Sequence, residues 1–101
     1  MEMAISAQPL DAKRLINSIV SENVVDGPGS ATAGSVGIDA GFSYKSSVLG
    51  NEVRDFETGI VGAGDLANKT ERCKFNSNTV KDAITAYDMR YVQNGVVIGN
   101  I

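Results

Sequence analysis

Asn76-Ser77-Asn78-Thr79-Val80-Lys81-Asp82-Ala83-Ile84-Thr85-Ala86-Tyr87-Asp88-Met89-Arg90-Tyr91 is the stretch on which the expected fold turns. Val80, Ile84, Tyr87 and Tyr91 recur at intervals of four, three and four, the spacing of one helical face. Lys81, Asp82, Thr85, Asp88 and Arg90 take the other face. The polar run ahead of Val80 supplies capping side chains, with Thr79 and Asp82 forming a variant of the capping box. The spacing predicts a helix over 79–93. Asn94-Gly95 then reads in either of two ways. It is the left-handed cap of that helix, followed by a short extended apolar tail over 96–101, or it is a two-residue turn joining residues 89–93 with 96–101 as a hairpin.

Working back along the chain, Leu49, Val53, Phe56 and Ile60 repeat the same spacing behind Ser46 and Ser47, which predicts a second helix over 47–60. Gly50 and Gly59 each cost that helix about 1 kcal/mol relative to Ala. A third helix is expected over 9–24: Pro9 suits its first turn, Asp11 lies near its positive end, and Ala12, Leu15, Ile16, Ile19 and Val20 follow at helical spacing. Between these segments, 26–41 (DGPGSATAGSVGIDAG) holds five glycines and a proline and reads as a loop. Residues 62–68 read as a Gly turn, and Phe42 and Tyr44 alternate with Ser43 and Lys45 as a brief strand-like stretch. No internal repeat emerges beyond the shared apolar spacing. The expected fold is mainly α: one domain over 1–101, a small helical subunit of about three amphipathic helices joined by Gly-rich loops, with a short extended C-terminal segment.

Composition narrows the chemistry. The chain has 101 residues, enough for one small domain, and it has no His and a single cysteine, Cys73. His-based acid–base catalysis, His/Cys zinc sites and an internal disulfide are thereby removed. Nine basic against twelve acidic residues give a net charge of -3 with the signs mixed, which weighs against nucleic acid as a partner. The nearest approach to a basic patch, Lys69, Arg72 and Lys74, is interrupted by Glu71, with Asp65 nearby, and reads as a mixed-charge surface more readily than as a phosphate site. No apolar run approaches membrane-spanning length, and the acidic Met1-Glu2-Met3 start does not resemble a classical signal peptide, so the compartment stays open.

Five motifs bear on chemistry. Gly59-Ile60-Val61-Gly62-Ala63-Gly64-Asp65-Leu66-Ala67 contains G-x-G-x-x-A, which looks like a dinucleotide-binding turn, and Gly62 to Ala67 supports the alternative of a small nucleotide- or phosphate-binding module. The surrounding pattern, with no apolar strand ahead and a weak helix behind, favours a flexible turn. The acidic pairs Glu52/Asp55 and Asp55/Glu57 read as a solvated helix face, and Asp26, Asp39 and Asp65 lack the spacing of a calcium loop. Cys73 sits between two cations that favour a thiolate, yet no His is present to serve as its base. Tyr87 and Tyr91 read as a packed seam or a subunit interface. No catalytic residue, metal or cofactor is expected.

Three apolar faces with few Leu and few aromatics make a thin core, so the expected function is a non-enzymatic structural or interaction protein that self-assembles into an oligomer or filament. Its interface would be Leu15, Ile16, Ile19, Leu49, Val53, Phe56, Ile60, Val80, Ile84, Tyr87 and Tyr91. Its partners would be copies of itself or a larger assembly. The segment 71–79 and the Asn/Thr-capped helix after it are similar to the axial rod and needle subunits of flagellar and type III secretion systems. The N-terminal Pro-Gly signature of rod proteins is missing and Cys73 is unusual for them, so no family is assigned.

Overall fold

The computed structural model describes residues 3–6 and 18–101. Every segment of regular structure among them is a short strand: β1 (Met3–Ser6), β2 (Ile19–Ser21), β3 (Val24–Asp26), β4 (Val36–Asp39), β5 (Ser47–Leu49), β6 (Glu52–Arg54), β7 (Thr58–Val61), β8 (Thr70–Glu71), β9 (Lys74–Asn76), β10 (Thr79–Lys81), β11 (Thr85–Asp88), β12 (Val92–Gln93) and β13 (Val96–Ile98). All of the pairings are parallel and join strands one coil apart, so the chain winds as a parallel β-helix. Sheet 1 is β2-β5-β9-β13, sheet 2 is β3-β6-β10, sheet 3 is β1-β4-β7-β11, and the small sheet 4 is β8-β12. Tyr44 extends sheet 4 by a single bridge to Glu71.

Each of the three larger sheets contributes one inward row to the core. Val20, Val48, Phe75 and Val97 stack in sheet 1, Val25, Val53 and Val80 in sheet 2, and Ile5, Ile38, Ile60 and Tyr87 in sheet 3. Val48, Val53, Phe56, Ile38, Ile60 and Phe75 are buried, each worth about 1.5–3 kcal/mol in area removed from water. Gly59 lies in the gap between two of these rows. A Cβ there would collide with Val80 Cγ1 and come within 2.7 Å of the Ala86 carbonyl oxygen.

The corner between sheets 1 and 2 carries the polar order of the fold. Glu22, Gly50, Ser77 and Gly99 turn the chain there with φ of 54–66°, and each is followed by an asparagine. Asn23 donates its backbone N–H and its Nδ2–H to Asn51 Oδ1, both at 3.0 Å. Asn51 repeats this toward Asn78 Oδ1 at 3.0 Å, and Asn78 toward Asn100 Oδ1 at 3.0 and 2.9 Å. The second Nδ2–H of Asn51 and of Asn78 reaches back to the carbonyls of Val20 and Val48, and Asn100 Nδ2 reaches that of Phe75. Asn51 and Asn78 are buried with both amide hydrogens and the amide oxygen engaged.

The mainly α expectation is overturned. Residues 47–60 form β5, β6 and β7, and 79–93 form β10, β11 and β12. Of the helix expected over 9–24, residues 9–17 lie outside the described residues and the remainder contains β2 and the start of β3. The Gly-rich stretch 26–41 closes with β4, leaving a loop over 27–35. The error has a geometric source. A coil of three-residue strands and short corners returns an inward side chain at steps of five, three and four, as at Val48, Val53, Phe56 and Ile60, and within one coil this imitates a helical face. Asn94-Gly95 is neither a helix cap nor a hairpin: Asn94, at φ 52°, turns the corner from β12 to β13 within the same winding direction.

Replacing Asn78 by Ala leaves the Asn51 N–H and the Val48 carbonyl without their side-chain partners and should lower unfolding free energy by about 3 kcal/mol. Asn23→Ala, which removes a single donor at one end of the column, should cost about 1 kcal/mol. Urea unfolding of both variants measures the difference, and equal costs would contradict the ladder.

Candidate functional site

The residues expected to form a seam are dispersed by the fold. Val53, Phe56 and Ile60 are buried in the protein's own core, and Val80 and Tyr87 pack against it. Leu49 is half-buried on the face of β5 opposite Val48, whereas Ile19 on β2, Ile84 in the corner before β11 and Tyr91 in the turn before β12 are exposed, at 70%, 69% and 47%. Leu15 and Ile16 lie outside the described residues. Self-assembly through amphipathic helix faces therefore has nothing to act through: among the described residues there is no helix, including none long and apolar enough to cross a membrane.

The chemistry-bearing side chains are likewise separated. Gly59 to Val61 do form a strand, but residues 62–69 continue as a loop where the dinucleotide motif needs a helix. The Gly62 and Gly64 amides, which would face a phosphate, donate to the Asp88 and Arg90 carbonyls at 2.7 and 2.9 Å. Asp65 closes its own turn, accepting from the Ala67 and Asn68 amides. Glu57 accepts from the Gly34 amide while its own N–H donates to Ser35 Oγ, so this carboxylate fastens the 27–35 loop. Glu52 and Asp26 face Arg54 and Lys81 on the outside of sheet 2. Asp39 is buried and accepts from the Gly41 amide. Among the described residues no group of three or more potential ligands converges on a metal position. Cys73 is buried, with Sγ donating to the Glu71 carbonyl and lying 3.4 Å from Ser43 Oγ, while Arg72 and Lys74 are exposed.

Asp88 and Tyr87 are displaced from their ordinary values, and the Arg54 and Arg90 guanidiniums are raised by Asp26 and Asp88. The Arg90 guanidinium, which donates Nε–H and Nη2–H to Asp88, holds that carboxyl below the usual carboxylate range. Burial pushes the Tyr87 hydroxyl up, partly opposed by the backbone of Ile101; the hydroxyl donates to the Ile101 and Asn78 carbonyls, at 2.8 and 3.0 Å.

One surface corner does bring unlike functional groups together. At the turn from sheet 4 into sheet 1, Lys45 and Arg72 follow Tyr44 and Glu71, which are bridge partners on adjacent coils. The Lys45 Nζ stands 5.3 Å from the centre of the half-buried Tyr44 ring and the Arg72 Cζ 5.9 Å, contacts worth about 0.5–1 kcal/mol each at an exposed site. Sequence reasoning reached Arg72 and Lys74 but not Tyr44 or Lys45. The signal lay in the interval: Lys45 and Arg72 are separated by the same 27 residues as Asn51 and Asn78. No family model matches the chain, and neither curated proteins nor solved structures yield a match; the likeness to rod and needle subunits also loses its helix.

Because the folded state raises the Tyr87 value, its contribution to stability is full below the unfolded value of about 10 and is lost as pH rises through the folded one. Tyr87→Phe should cost about 1 kcal/mol at neutral pH and flatten the fall in stability above about pH 10. Unfolding curves across the alkaline range measure it, and an unchanged alkaline limb would contradict the assignment.

Proposed function

We propose that this chain is a non-enzymatic structural and interaction protein, a rigid β-helical scaffold that presents outward side-chain rows to a partner. The observation that carries this reading is the register. Residues one coil apart, such as Glu52 and Thr79 or Ser47 and Lys74, are held as strand partners, so the outer faces are fixed rows about 4.8 Å apart. The buried polar side chains support it too: Ser35, Ser43, Asn51, Thr70 and Asn78 hydrogen-bond to the solenoid's own backbone.

The interaction reading is tested by paired alanine replacements in outward rows (Lys45/Arg72, Glu52/Thr79, Ser47/Lys74), with melting temperatures as a folding control and complementation of a deletion strain as readout. Loss of function confined to one row at unchanged stability is expected. Loss confined instead to Asp39→Asn, Asp88→Asn and Glu57→Gln, the carboxylates around sheet 3, would overturn the reading in favour of catalysis. The nucleotide alternative predicts a rise in melting temperature with millimolar ATP or NAD. With the Gly62 and Gly64 amides engaged, none is expected, and a rise would replace the scaffold reading.

A further inference from the structure

We infer that the corner built by Tyr44, Lys45 and Arg72 binds an oxyanion, a sulfate, phosphate or carboxylate group, between the Lys45 ammonium and the Arg72 guanidinium. This deepens the interaction reading by naming the chemistry that a partner would carry.

The two cations leave the backbone from equivalent positions one coil apart. Both residues are left-handed, at φ 54° and 55°, and each amide donates at 3.0 Å to the next coil's carbonyl, Lys45 to Glu71 and Arg72 to Gln93. Strand spacing sets their backbones about 4.8 Å apart. Both side chains lie against the Tyr44 ring, which places the two charges at one corner of the surface. Lys74, also exposed, stands two residues further on.

These cations differ from the others on the described surface. Arg54, Lys81 and Arg90 each lie within ion-pair distance of a carboxylate. No ion pair among the described residues includes Lys45, Arg72 or Lys74, and Glu71, adjacent in sequence, is half-buried with an interaction of its own. Like charges on neighbouring rungs repel. An oxyanion between them removes that repulsion, taking two oxygens to the Arg72 fork and another to the Lys45 point charge. Charge and fork geometry define the ligand.

Titration of the 15N-labelled protein with sodium sulfate, against sodium chloride at matched ionic strength, tests the site. Saturable shifts are expected at Tyr44, Lys45, Arg72, Lys74 and the Arg72 Nε, with affinity falling about tenfold in Arg72→Gln, less in Arg72→Lys, and unchanged in Lys81→Gln. Dextran sulfate titrated in parallel separates the sources. Tighter binding per sulfate supports the site with a polymer-borne group, and equal binding supports it with a free ion. Unsaturated shifts spread equally over Arg54, Lys81 and Arg90 would overturn it. Failure here with function still mapping to the Lys45/Arg72 row would leave the interaction reading standing with another partner chemistry, whereas saturable binding with function mapping elsewhere would refute only the link between site and partner.

Discussion

The column of amides from Asn23 through the buried Asn51 and Asn78 to Asn100 is the constraint on which the rest of the structure depends. A parallel sheet of three-residue strands has little to fix its register, because each strand contributes only a few hydrogen bonds and a one-residue slip turns its side chains to the other face. An asparagine that accepts from the coil before it and also binds that coil's carbonyl can do so in one register only. The same contacts hold the preceding left-handed residue in place, offsetting about 1–2 kcal/mol of backbone strain where that residue is Glu22 or Ser77.

With the corner fixed, the apolar rows follow. Val53 must lie over Val25 and Val80, and Ile60 over Ile38 and Tyr87, so the core is a set of stacked rows needing only modest side chains. The shortage of Leu and aromatics is therefore no sign of a weak helix bundle. The outward rows inherit the same order, which is why Lys45 and Arg72, far apart in sequence, share Tyr44.

Much of this architecture was present in the sequence at a period longer than any helical window. Val48, Val53, Phe56 and Ile60 recur as Phe75, Val80, Ala83 and Tyr87, each 27 residues on, and Asn23, Asn51 and Asn78 keep nearly the same interval. Two features hid it. Loops of unequal length, over 27–35 and 62–69, shorten or lengthen individual coils so that no constant repeat runs through the chain. Most corners are turned by residues such as Lys45, Asp55, Arg72 and Tyr91 in the left-handed region, where glycine would have announced a turn. The basic corner was half legible for the same reason: Arg72 and Lys74 are neighbours in sequence, while Tyr44 and Lys45 join them only through the winding.

The central claim is that side chains 27 residues apart touch, and side chains four apart on the presumed helix do not. Nuclear Overhauser contacts of the 13C,15N-labelled chain in solution test this most directly. The β-helix predicts contacts between Val53 and Val80, between Val48 and Phe75, and between the Asn51 and Asn78 side-chain amides. A set of three- and four-residue contacts running from Val80 through Ile84 and Tyr87 to Tyr91, with the inter-coil contacts absent, would contradict it.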